Sequence, residues 1–192
     1  MKQRWAMFLL GAWLCGTVIA SVVAAENFYT VDRLLAGARS RAFASQVDRL
    51  GQPDAREMLR YLSSELNRLY FQLWNVTQLP VGVLLLWLLG QNPTSHSSTA
   101  AALRTSTRHA GARRVRWGII GMLGIVVLMT LWLTPAITSL GRSLDFVPRD
   151  PPPAGFGRFW MLHGAYVVLD AAKLLVGVTV AICIARAGKQ DK

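Results

Sequence analysis

The sequence predicts an all-α fold, a four-helix transmembrane bundle forming one integral membrane domain over residues 1–192, with an extramembrane amphipathic helical arm between its first and second spans. Three observations predict it. Apolar residues make up 53% of the 192 and charged residues only 16%, with a mean hydropathy of +0.33, too oily for an ordinary soluble domain. Four long apolar stretches, residues 5–24, 69–89, 115–133 and 159–185, each approach or exceed the roughly 20 residues a helix needs to cross a hydrocarbon core of about 30 Å. The basic residues behind the net charge of +11 crowd the ends of these stretches, an arrangement that orients a membrane protein and argues against nucleic acid as a partner. Unbroken apolar runs of this length satisfy their backbone as helices and do not show the alternation of barrel strands.

The first stretch admits two readings. Met1 to Arg4 resembles the basic start of a signal peptide, and Val23, Ala24 and Ala25 resemble a cleavage site; the run is nevertheless long for a signal peptide and holds two tryptophans, so a retained first span is expected. Cys15 and Cys183 fall inside spans without partner spacing, and small apolar packing is their expected role.

Between the first two spans, residues 30–68 form the arm. Val31, Leu34, Leu35, Ala38, Ala42, Phe43, Val47 and Leu50 recur at helical spacing, which predicts an amphipathic helix ending at Gly51, Gln52 and Pro53. Asp54 with Glu57 three residues on has the form of a capping box, so a new helix is expected from about Ala55. Leu59, Leu62, Leu66, Leu69, Leu73 and Val76 continue a 3,4 spacing into the second span, predicting one long helix whose aqueous end packs on the preceding helix.

Residues 91–114, rich in Ser, Thr and Ala, read as a flexible connector, and Asp150 followed by three prolines makes the third loop stiff. On the third span Gly118, Gly121 and Gly124 suit close helix approach, and Pro135 just beyond it bends or ends the helix. Arg113, Arg114 and Arg116 abut a membrane segment on the side that also holds Lys2, Arg4 and Arg186, whereas most acidic residues lie on the other side. The expected placement is a bacterial inner membrane, N-in and C-in.

The candidate functional residues are those that sit unfavourably in lipid. His163, Tyr166, Asp170 and Lys173 share one stripe of the fourth span at i, i+3, i+7 and i+10. Glu65, Arg68, Gln72 and Asn75 repeat that spacing on the helix of the second span, with Thr77 and Gln78 nearby. An unpaired charge at a bilayer centre costs at least about 2.5 kcal/mol, so both stripes are expected to face inward, across a polar cleft open to the non-cytoplasmic side. Two readings follow: interhelical hydrogen-bond glue built around an Asp170–Lys173 pair, or a path for a substrate, ion or proton.

No catalytic residue, metal site or cofactor is implied. A bis-histidine haem lacks its second intramembrane ligand, and neither a phosphate-binding glycine loop nor an HExxH motif is present. The function classes are thus a non-catalytic scaffold or accessory subunit whose arm contacts a membrane-protein partner, and a transporter or ion-handling protein acting as a homo-oligomer.

Short motifs spread along the chain carry a resemblance. Trp13, Leu14, Cys15 and Gly16 lead to the run from Val22 to Phe28; Leu133, Thr134, Pro135, Ala136 and Ile137 end the third span; Phe159 to Leu162 with His163 and Gly164 open the fourth. In these the chain resembles the four-helix membrane proteins of domain-of-unknown-function family 4149, relatives of transmembrane protein 205. The resemblance implies the four-span fold and little mechanism. The chain departs from the family pattern at Ala25, where a proline is usual, and the family does not account for Asp170 and Lys173.

Overall fold

In the computed structural model the backbone is described for residues 1–37, 40–90 and 102–189, and side chains for these except 102–110 and 188–189. The described residues are helical throughout apart from short connections. Helix α1 spans Lys2–Ala36, α2 Arg41–Leu50, α3 Gln52–Gly90 and α4 Ala102–Leu128. A π-helical turn, Met129–Leu133, leads straight into α5, Thr134–Ser143, and α6 spans Phe156–Lys189. α1 packs on α3, α3 on α4, α4 on α6 and α6 back on α1, closing a four-membered ring in which α3 and α6 stand diagonally opposed. Four helical segments, α1, α3, the continuous α4–α5 rod and α6, are long and apolar enough to cross a membrane.

The elements begin and end where backbone chemistry directs. Gly37 closes α1 by donating its N–H to the Arg33 carbonyl. Gly51 follows α2 with a φ of +83°, a left-handed conformation that glycine adopts without Cβ strain, and its N–H caps the Val47 carbonyl. Pro53 then sits in the first turn of α3, where no N–H is needed. α3 therefore starts at Gln52, and Asp54 lies within its first turn instead of capping it as a box from about Ala55.

Other expectations change as well. The arm is not a single amphipathic helix from residue 31 to 50: residues 31–36 extend α1, and α2 carries only the second half. At 1.5 Å per residue α1 is about 52 Å long and α3 about 58 Å, well beyond a hydrocarbon core of about 30 Å, so the arm is chiefly the paired overhang of these two helices. Asn27 Nδ2 donates to Asn67 Oδ1 at 2.6 Å and Asn67 Nδ2 to the Ala24 carbonyl at 2.9 Å, stitching the overhang together.

The connector at 91–114 is shorter than expected. Residues 91–101 lie outside the described residues, but the chain is helical from Ala102. Nor does Pro135 end the third rod. Having no N–H to give to the Leu131 carbonyl, it is accommodated by the wider π turn just before it, and the helix continues to Ser143.

The leucine stripe of α3 faces outward: Leu62, Leu69, Leu73 and Val76 are exposed, while the buried face reads Ala55, Ser63, Asn67, Asn75, Gln78, Gly82 and Leu85. This inversion suits lipid, which solvates leucine but cannot pair with an amide. Close approach is set by one of the three glycines expected, Gly118, and by others such as Gly16. A Cβ on Gly16 would run into the Trp74 ring and one on Gly118 into Val180, whereas Gly121 and Gly124 meet nothing.

The apolar core centres on Leu10, Trp13, Leu85, Ile119, Met122 and Val126, all buried. Among the exposed aromatics, Trp5, Trp87 and Trp117 stand toward one end of the bundle and Tyr70 and Trp160 toward the other, with Trp132 somewhat deeper on its rod. Trp117 and Trp132 stand about 22 Å apart along their rod, and Tyr70 and Trp87 about 25 Å apart along α3.

Candidate functional site

Asp170 and Lys173 lie on α6 about 15–20 Å below Trp160, well inside the slab between the aromatic levels. Lys173 is fully buried. Its ammonium donates to Asp170 Oδ1 at 2.7 Å, within the same helix, and to Gln78 Oε1 at 2.5 Å, across the bundle on α3. Gln78 Oε1 also accepts the indole N–H of Trp13 from α1 at 2.7 Å. The amide nitrogen of Gln78 donates to Asn75 Oδ1 and to the Trp74 carbonyl, both at 3.3 Å. Asn75 Oδ1 accepts the Tyr166 hydroxyl from α6 at 3.2 Å, and Asn75 Nδ2 donates to Thr134 Oγ1 at 2.9 Å, at the end of the π turn.

One chain of hydrogen bonds thus joins α1, α3, α5 and α6 through groups that would each be expensive to leave unpaired in an apolar interior. The network is closed. Among the described residues the only buried side-chain nitrogen or oxygen without a partner is Trp74 Nε1, which is not one of these links.

A second polar assembly lies where α3 passes the Tyr70 level. Arg68 grips Asp145 in a two-pronged contact, Nη1 to Oδ2 at 2.9 Å and Nη2 to Oδ1 at 3.1 Å, and also pairs with Glu65. Arg142 Nη2 reaches Glu65 Oε2 at 3.3 Å. Two cations and two carboxylates therefore clamp α3 to the end of α5 and the turn after it. Hydrogen bonds from Arg142 and then Arg68 hold the Glu65 carboxyl below the usual carboxylate range.

Between clamp and network lies a cavity of about 120 Å³, walled by Arg68, Phe71, Thr134, Phe159, His163 and Tyr166 among others. It is large enough for a few waters or one small ring. His163 forms part of its wall, stacked on Phe159 with centroids 6.1 Å apart. The cavity stops at Tyr166 and Thr134; neither Asp170 nor Lys173 lines it.

Of the eight residues singled out in the sequence, Asn75, Tyr166, Asp170 and Lys173 come together in the network. Glu65 and Arg68 belong to the clamp, and His163 to the cavity between. Gln72 joins none of them. It is exposed, because the inward face of α3 passes through Arg68, Asn75 and Gly82 and broadens toward Phe71 and Gln78, leaving Gln72 about 60° beyond Asn75 on the opposite flank. The uniform cleft between two matching stripes is therefore replaced by a clamp, a small cavity and a closed network in succession.

Sequence reasoning left Trp13, Gln78 and Thr134 out of the candidate set. A signal existed for two of them: Gln78 is one helical step from Asn75, and a tryptophan buried at mid-span needs an acceptor for its N–H. Among the described residues no group of three or more His, Cys, Asp or Glu side chains is placed to hold a metal ion. Comparison with known protein families, with curated proteins and with solved structures finds no match for this chain. The resemblance to domain-of-unknown-function family 4149 accordingly rests on the short motifs alone.

Proposed function

We propose that this chain is a four-span integral membrane protein of a bacterial inner membrane, N-in and C-in, acting without catalysis as a scaffold or accessory subunit. The observation that carries this reading is the closed network. Its mid-span charges are spent on one another and on Gln78, and neither the cavity beside them nor the groove between α5 and α6 is lined by them, which supports a role in locking helices together. The two aromatic levels suit the interfaces of a bilayer. The orientation is supported by Lys2, Arg4, Arg113, Arg114, Arg116 and Arg186 at one end of the bundle, against acids such as Glu26, Asp32, Asp48 and Glu57 at the other.

With the interior occupied, recognition falls to the outside of the overhang. There Leu50, Met58, Tyr61 and Leu62 are all exposed although they stand beyond the Tyr70 level, in water. Such a strip suits a membrane-protein partner. One experiment tests orientation and partner together, in a chain whose two cysteines are replaced by alanine. A membrane-impermeant thiol reagent outside the inner membrane is expected to label Ser45→Cys in α2, and Met58→Ser with Leu62→Ser is expected to release a co-purifying partner in mild detergent while the protein stays folded. Protection of position 45, or a lone monodisperse protein from the outset, contradicts the reading.

The second reading, ion or proton handling by a homo-oligomer, is favoured by one observation. The cavity brings Arg68, His163 and Tyr166 to a common space on the side of the overhang. It ends about 10 Å short of Lys173 along α6, so a path would need the network to open.

A further inference from the structure

A second cavity, of about 280 Å³, is a groove on the outer face of the bundle between α5 and α6, lined by Ala136, Ser139, Leu140, Ser143, Arg158 and Leu162. Its composition changes along the bundle axis. Ala136 and Leu162 form the deep, apolar end. Ser143 and Arg158 stand at the shallow end, beside Trp160 and therefore at the aromatic level. Ser143 is about 10 Å along α5 from Ala136, and Arg158 about 6 Å along α6 from Leu162. Arg158 is exposed and has no ion-pair partner among the described residues, in contrast to Arg68 and Arg142 a short distance away, both of which are neutralised.

Ser139 and Ser143 donate their hydroxyl protons back to the Ala136 and Leu140 carbonyls, at 3.2 and 2.8 Å. Their oxygens are left as acceptors on the face of α5 that lines the groove. An unpaired guanidinium suits a phosphate diester, and two hydroxyl acceptors suit a headgroup that itself carries hydroxyls. The apolar floor below them suits an acyl chain.

We infer that the α5–α6 groove is a binding site for an anionic glycerophospholipid with a hydroxylated headgroup, of the phosphatidylglycerol class, with its phosphate on Arg158 and its chain over Leu140 and Leu162. The leaflet is the one at the level of Trp160 and Tyr70.

The test is native mass spectrometry of the full-length protein released from detergent with equimolar phosphatidylglycerol and phosphatidylcholine. Arg113, Arg114 and Arg116 are replaced by glutamine throughout, to remove anionic lipid held at the opposite end. The chain is expected to retain one phosphatidylglycerol in preference to phosphatidylcholine. Arg158→Ala is expected to weaken that retention about fivefold, and Arg149→Ala to leave it unchanged. Ser139→Phe keeps the charge but fills the groove, and is expected to displace the same lipid; it decides the matter if Arg158→Ala does not elute as a folded species. Equal retention of the two lipids, lipid binding by Ser139→Phe at the parent level, or displacement of the lipid by soluble glycerol 3-phosphate at matched concentration overturns the inference, the last by marking a free-phosphate site.

Discussion

Glu65 illustrates how a residue on a polar stripe takes its role from its depth. It stands above the Tyr70 level, accepts from Arg142 and Arg68, and its carboxyl is held below the ordinary range. A depressed carboxylate stabilises the fold above its unfolded pKa, and that contribution disappears as pH falls through the folded one. Thermal unfolding in detergent is thus expected to shift to lower temperature as pH drops through and below the ordinary carboxylate range, and Glu65→Gln is expected to flatten part of the shift. An identical pH profile for Glu65→Gln would remove Glu65 from the account of the clamp. Asp170, of the same chemical type, sits some 15 Å below Trp160, where its carboxylate is tied to Lys173 instead of reaching an aqueous clamp.

The residue scale also shows what the sequence made legible. Asp170, Lys173 and Asn75 stand out because a charge or amide inside an apolar run has few acceptable placements other than inward. Gln72 stands out for the same reason and points outward, because a stripe read at i, i+3 and i+7 fixes a helix face only to within about 60°. Its counterpart Gln78 looks ordinary until Trp13 and Lys173 arrive from other helices to share its carbonyl oxygen.

At the scale of elements, the spans were readable because some 20 apolar residues leave little alternative to a helix. The ends of α1 and α4 were not. Helix continues past the apolar run into Asn27, Tyr29 and Arg33, where the overhang of α3 supplies polar partners across the interface. Close packing was legible only in part, because a glycine in a span is equally compatible with a tight crossing and with open lipid. Gly118 faces Val180 and Gly121 faces nothing. Gly118→Leu is expected to destabilise the bundle by about 1–3 kcal/mol through overpacking, whereas Gly121→Leu is expected to be neutral or mildly stabilising through helix propensity. Equal losses in a detergent or denaturant titration would show that both glycines pack.

At the scale of the whole molecule, the bundle turns a soluble protein inside out along α3, with leucines outside and amides within. Polar groups then carry the specificity that apolar packing carries in water. Trp13, Asn75, Gln78, Thr134, Tyr166, Asp170 and Lys173 select one arrangement of four rods that lipid alone would leave free to slide. The overhang of α1 and α3, with its exposed Met58 and Leu62, is the surface that the proposed scaffold role assigns to a partner.

The most direct test of this account is the double-mutant cycle of Asp170→Leu and Lys173→Met, read both as stability in detergent and as retention of the proposed partner. Lys173→Met alone leaves a buried carboxylate unpaired and is expected to lower stability by about 3–5 kcal/mol. The double variant, with apolar groups of similar size and Gln78 still bonded to Trp13, is expected to recover most of that loss and to retain the partner. A double variant that folds with full stability and yet no longer retains the proposed partner would contradict the account, by giving Asp170 and Lys173 a role beyond locking the helices.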